Sequence, residues 1–152
     1  MCLGNICRSP AAESIFIHLI KSQNLEDSYY VDSAGTGGWH VGSQADLRMQ
    51  EAAKNRGIII KSIARQITLE DLDRFHLILT MDNENLSELM SLAQGLDPNI
   101  VKKIRPILSY STTSKLIEVP DPYYGGAKGF ENVLDLLEDA CNELLKELIA
   151  VG

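Results

Sequence analysis

The spacing of apolar positions changes period several times along the chain, and each change marks an element. From Ser9 onward, Ala12, Ile15, Phe16, Leu19 and Ile20 recur at three- and four-residue intervals, the signature of an amphipathic helix. Ser9 as N-cap and Pro10 in the first helical position predict its start at Ser9. Tyr29, Tyr30 and Val31 are strand formers that run into Asp32-Ser33-Ala34-Gly35-Thr36-Gly37-Gly38, a loop by composition. Leu47, Met49, Ala52 and Ala53 predict a second helix, with Gly57 as its left-handed cap and an extended run over 58–63 beyond it. Thr68 caps one helical turn reaching Asp73, and Phe75 to Met81 reads as a buried strand.

Asp82 or Asn83 then caps a helix through Leu92, and a weaker strand pattern covers 104–108. A polar loop over 109–115 leads to Val119-Pro120-Asp121-Pro122, where two prolines exclude regular helix. Beyond Gly129, the positions Phe130, Val133, Leu134, Leu137, Ala140, Cys141, Leu144, Leu145 and Leu148 trace one long amphipathic helix. Helices alternating with short apolar strands predict an α/β fold with a parallel sheet.

Composition narrows what such a domain can do. At 152 residues, 45% of them hydrophobic, the chain fits a single compact domain spanning 1–152. A formal net charge of −7 argues against nucleic acid, whose binding relies on many Lys and Arg contacts to phosphates. The apolar runs fall far short of the ~20 residues that cross a bilayer, so no membrane association is expected. Three cysteines in no disulfide-scaffold spacing, with no apolar leader before them, place the chain in reducing cytoplasm. There a cysteine is a small buried hydrophobe, a metal ligand or a reactive thiol.

Cys2-Leu3-Gly4-Asn5-Ile6-Cys7-Arg8-Ser9 sets a cysteine and an arginine at the two ends of a loop that opens onto a helix N-terminus. Unpaired N–H groups and the positive end of the helix dipole suit a bound anion. Gly4 and Asn5 tolerate the left-handed conformations such a nest needs. The same field favours the thiolate of Cys2, and Arg8 offers a planar fork for two phosphate oxygens. Singly, each residue reads more simply: Cys2 and Cys7 as packing, Arg8 as a solvated charge, Ser9-Pro10 as a helix start. Jointly, a Cys and an Arg separated by five residues just before Ser-Pro point to cysteine attack on phosphorus. Zinc is disfavoured, since no second Cys pair or His pair stands at ligand spacing, and no metal or cofactor is expected. His18, His40 and His76 are scattered and read as surface or core residues.

Cys-Leu-Gly-Asn-Ile-Cys-Arg-Ser-Pro resembles the phosphate-binding loop of the low-molecular-weight protein-tyrosine phosphatases. Asp32-Ser33-Ala34-Gly35-Thr36, Ala64-Arg65-Gln66, Met81-Asp82 and Asp121-Pro122-Tyr123-Tyr124-Gly125 resemble further segments of that family in the same order, so the similarity covers essentially the whole chain. The resemblance implies a three-layer sandwich, a short parallel sheet with helices on both faces, and hydrolysis of phosphotyrosine through a cysteinyl-phosphate. It implies Cys2 as nucleophile, Arg8 as phosphate clamp and Asp121 as general acid and then base, although Asp-Pro is also a common turn. Leu3, Gly4, Asn5, Ile6, Cys7 and Ser9 complete the phosphate loop, with Asn5, Ser9 and Ser33 supporting it. Many members have a histidine in that support where this chain carries Ser62. Trp39, Tyr123 and Tyr124 match residues that flank the phenyl ring, a slot too deep for phosphoserine.

The expected partners are a phosphotyrosine protein or a small aryl phosphate, with phosphate as product and inhibitor and a monomeric enzyme. Cys7 is a candidate oxidation partner for Cys2, Cys141 a core residue, and Asp82 only a helix cap. An arsenate reductase would need a further downstream cysteine pair, and relatives acting on phosphoarginine usually carry threonine at the position of Ile6. A non-enzymatic phosphate-binding relative is a third alternative. One departure stands out: the family has an apolar central strand leading into the cysteine, and only Met1 precedes Cys2 here. The expectation is therefore a central first strand missing from this chain, a start assigned too late, and a poorly held nucleophile.

Overall fold

Alternation within a three-residue strand divides the interior into two apolar cores. In the computed structural model, which describes residues 1–152, β1 (Ile78–Thr80) pairs in parallel with β2 (Ile104–Pro106), Ile78 opposite Ile104. Ile78 and Ile104 enter a smaller core with Leu72, Leu89, Ala93 and Ile100, while Leu79 packs against a larger core. The larger core is built mainly by α1 (Arg8–Ser22), α2 (Leu47–Lys54) and α6 (Gly126–Val151). The smaller one is covered by α3 (Leu69–Arg74), α4 (Asn83–Leu92) and α5 (Pro98–Val101). Helices thus flank a small parallel sheet on both faces, as the resemblance implies.

Local chemistry explains most helix starts. Thr68 and Asp71 form a reciprocal capping box at α3, and Asp82 with Asn85 forms another at α4. Asp46 caps α2 by accepting from the Arg48 and Met49 amides. α5 was not expected; it is one short turn that Asp97 caps and Pro98 opens. α6 begins at Gly126, three residues before the predicted start. Gly129 lies inside it because the Pro122 turn rests there: a Cβ would stand 2.7 Å from the Pro122 carbonyl oxygen.

Two expectations are corrected. α1 begins at Arg8 rather than Ser9, and its N-cap, Cys7, makes no side-chain capping bond. Tyr29–Val31 does not form a strand; near it only Gly35 joins the sheet, bridging Cys2 on one side and Gln66 on the other, both in parallel. The extended run over 58–63 contributes a single bridge, Ile63 to Gln44.

The cysteine sits at the middle of this arrangement. The Met1 nitrogen donates to the Leu79 carbonyl at 2.7 Å, the Met81 amide donates to the Met1 carbonyl at 3.2 Å, and the Thr36 amide donates to the Cys2 carbonyl at 3.0 Å. Met1 and Cys2 therefore bridge β1 and the Gly35 segment, and the Cys2 backbone is tied on both sides.

Candidate active site

The uncapped start of α1 follows from what Ser9 does instead. Its hydroxyl lies 3.0 Å from Cys2 Sγ and accepts a 2.8 Å bond from Asn5 Nδ2. The Ser9 proton is left free to be donated to the sulfur when Cys2 is a thiolate, which can only accept. Asn5 Nδ2 also donates to Ser33 Oγ at 2.9 Å, and Asn5 Oδ1 accepts from the Arg65 amide at 3.0 Å, which fixes the orientation of the Asn5 amide. Asn5 is buried and takes the left-handed conformation, φ 57°, at the turn of the loop. Gly4 does not; its lack of a side chain matters because the His40 ring lies on it, with His40 Cδ2 2.8 Å from where a Cβ would be.

No backbone N–H from Leu3 to Ser9 donates a hydrogen bond within the protein. A run of free amides that follows Cys2 and ends at a helix N-terminus suits a tetrahedral oxyanion.

Arg8 closes the loop. It is buried, and its Nη1 donates to Asp82 Oδ2 at 2.9 Å and to the Val119 carbonyl at 2.8 Å. Nε and Nη2 have no partner in the protein, so one edge of the guanidinium is anchored and the other is free to hold an anion. Asp82, expected only to cap α4, does so with Oδ1, which accepts from the Asn85 amide at 2.8 Å, and anchors Arg8 with Oδ2. Asp82→Asn keeps an acceptor for the cap but removes the charge. It is expected to lower kcat/KM for aryl phosphates roughly tenfold, mainly through KM, with little change in melting temperature. Steady-state kinetics beside a thermal melt checks this.

Arg8 also locates the acid candidate, because Val119 stands two residues before Asp121. The exposed Asp121 carboxylate accepts from the Tyr123 amide at 3.0 Å, which orders the turn. Its charge is among those that reach Cys7, whose thiol is pushed up to about 12 first by burial and then by Asp46, Cys2 and Asp121. Burial likewise pushes Cys141 up to about 12 in the core. Burial thus disfavours the thiolate at both, and all three cysteines are free.

The aromatic candidates divide. Trp39 is 73% exposed with its ring against Gly37, where a Cβ would fall 1.8 Å from a ring carbon. Tyr123 is held by the Arg48 guanidinium 4.8 Å above its ring, Arg48 being held in turn by Asp46. Burial raises the Tyr123 phenol to about 12, with Asp46 adding to it. Tyr124 is 92% exposed, and no hydrogen bond or ring contact ties it to the loop.

The support network does not run through Ser62, whose buried hydroxyl has no partner. It ends on Glu13, which accepts from Ser33 Oγ at 2.8 Å and whose carboxyl burial holds above the usual range. Asp82, Glu13, Arg48 and the Arg65 amide escaped the sequence reading. Only Asp82 and Arg65 carried a signal, as parts of the segments that resemble the family.

A buried thiol, a run of free amides and an arginine fork in one loop are the parts a cysteine-dependent phosphatase needs, and sequence comparison points to the same class. The chain belongs to the family described as low molecular weight phosphotyrosine protein phosphatase, whose model matches residues 1–151. That match begins at residue 1 and gives no support to the expected loss of an N-terminal strand.

Among its relatives, the low molecular weight protein-tyrosine-phosphatase YfkJ of Bacillus subtilis is 42% identical over 149 residues, 97% of this chain and 92% of YfkJ. A protein tyrosine phosphatase from Entamoeba histolytica, crystallised with Hepes in its active site, superposes with a TM-score of 0.92 at 46% identity, covering 98% of this chain and 94% of that one. A Drosophila arginine phosphatase superposes at 0.89 with 36% identity, covering 97% and 94%. No helix is long and apolar enough to cross a membrane.

Proposed function

We propose that this chain is a protein-tyrosine phosphatase, a single domain over 1–152 that hydrolyses phosphotyrosine through a cysteinyl-phosphate. The observation that carries the reading is the run of free backbone amides directly after Cys2, closed by a guanidinium with one edge unpartnered. The amides of Leu3, Gly4, Asn5, Ile6, Cys7 and Ser9, with Arg8, bind the three non-bridging oxygens. The Cys2 thiolate attacks phosphorus, the bond from phosphorus to the aryl oxygen breaks, and the Asp121 carboxyl gives its proton to the departing phenolate.

In the second step the Asp121 carboxylate takes a proton from water, the water oxygen attacks phosphorus, and the S–P bond breaks. Ser9 O–H donates to the thiolate as it leaves. Asn5 and Ser33 keep the loop in that shape.

Trp39 and Tyr123 border the opening over Cys2 and accept a phenyl ring, with Tyr124 at its outer rim. The substrates are phosphotyrosine proteins or small aryl phosphates, inorganic phosphate is product and inhibitor, and the enzyme works as a cytoplasmic monomer. Ile6 favours phosphotyrosine over phosphoarginine, because it puts an apolar side chain where the loop of the arginine-directed relatives offers a hydroxyl.

Asp121→Asn should cut kcat/KM, which reports the step that releases the phenol, about 10²- to 10³-fold on phenyl phosphate, whose phenolate needs a proton, and far less on 4-nitrophenyl phosphate, whose phenolate does not. An equal loss of kcat/KM on both substrates would remove Asp121 from the acid role. Phosphotyrosine, phosphoserine and phosphoarginine assayed side by side test the substrate class, with turnover expected on the first alone.

A further inference from the structure

Asp46 and Arg48 stand two residues apart at the start of α2, and the helix is tied there to the cysteine loop: the Asp46 amide donates to the Ile6 carbonyl at 2.7 Å. The Asp46 carboxylate caps α2 and also grips the arginine. Its Oδ1 accepts from Arg48 Nε at 3.2 Å and its Oδ2 from Nη2 at 2.9 Å. Two bonds to a rigid planar fork fix the orientation of the guanidinium as well as its place. So held, its central carbon lies 4.8 Å from the centre of the Tyr123 ring and 5.0 Å from that of Phe130 in α6, within the reach of cation–π attraction.

Tyr123 belongs to the turn that carries Asp121. Its amide donates to Asp121 Oδ1 at 3.0 Å, so ring and carboxylate are parts of one Asx turn and move together. The turn is held at its entry, where Arg8 Nη1 donates to the Val119 carbonyl, and from beneath, where Pro122 rests on Gly129. Arg48 adds a third support at the tip, and through Asp46 that support leads back to Ile6 in the loop behind Cys2. A group that must meet a departing oxygen tolerates little displacement, since a misplacement of ~1 Å can cost about 10²-fold in rate.

We propose that Arg48 is a positioning residue for Asp121. Its contact with the Tyr123 ring sets where the acid turn sits relative to the cysteine loop, while Arg48 itself takes no part in the proton transfer. The proposal rests on Asp121 as the acid, and it gives Arg48 a signature that a purely structural residue lacks: its loss should matter only where the leaving group needs a proton.

The Arg48 side chain is 56% exposed, so Arg48→Met leaves no buried cavity and should keep the melting temperature. Measured as kcat/KM, Arg48→Met is expected to lose about tenfold on phenyl phosphate and less than about twofold on 4-nitrophenyl phosphate. In the Asp121→Asn background the same substitution should cost less than about twofold on either substrate, because the group it positions is gone. Arg48→Lys, which keeps the charge but not the fork, should fall between Arg48→Met and the unaltered chain on phenyl phosphate, and it decides the matter should Arg48→Met fail to fold. Equal losses on both substrates, a loss that persists in full beside Asp121→Asn, or no loss on phenyl phosphate would overturn the proposal. Asp121→Asn alone separates the two claims. An equal loss there on both substrates would remove the acid and with it the role of Arg48, whereas a selective loss there and none on altering Arg48 would overturn the positioning role by itself.

Discussion

Cys2→Ser is expected to abolish turnover of aryl phosphates, by at least about 10⁴-fold, while leaving inorganic phosphate binding largely intact. A serine hydroxyl has no neighbouring base to activate it: the side chain that meets Cys2 Sγ is the Ser9 hydroxyl, at 3.0 Å, and a hydroxyl is no general base at neutral pH. The amide cradle and the Arg8 fork do not depend on the sulfur, so affinity for phosphate should survive the loss of chemistry. Isothermal titration with phosphate, beside an assay of phenol release, separates the two. Residual activity above a few per cent would mean that another group attacks phosphorus.

Arg8→Lys should lower kcat/KM about 10³-fold with both parameters affected. Lysine preserves the charge and is long enough to face Asp82, so the partly buried carboxylate keeps a cation beside it. What lysine cannot reproduce is a rigid plane with one edge fixed on Asp82 and Val119 and the other presented to phosphate. Kinetics on phenyl phosphate with a thermal melt of the same sample distinguishes a lost clamp from a lost fold. A melting point unchanged with activity down a thousandfold is the expected pair of results.

The site was legible where its chemistry is contiguous. Cys2, Arg8 and the helix behind them occupy one stretch of sequence, and the spacing alone implied an anion loop. The helix start was placed one residue late because Ser9 has the side chain of an N-cap; its hydroxyl is drawn instead to Cys2 Sγ by the Asn5 amide, a competition that local pattern does not express. Asp82 was read as a cap and is one, but its second oxygen serves Arg8 from 74 residues away, and long-range pairing leaves no periodic trace.

The fold shows the same division. Capping boxes at Thr68 and Asp82 and the long apolar stripe of α6 were readable because propensity, pattern and tertiary packing agree there. Tyr29–Val31 has strand composition and remains outside the sheet because a strand exists only with a partner, and no backbone bonds to it. The short turn at Pro98 offers too few residues for a period to show.

The central claim, that phosphorus passes through the sulfur of Cys2, is tested most directly by trapping the intermediate. Asp121→Asn mixed with 4-nitrophenyl phosphate and quenched in denaturant within milliseconds should release one equivalent of nitrophenolate in a burst. Mass spectrometry should then find one phosphoryl group on the peptide carrying Cys2. A phosphoryl group on any other residue, or turnover with neither burst nor covalent adduct, would contradict it.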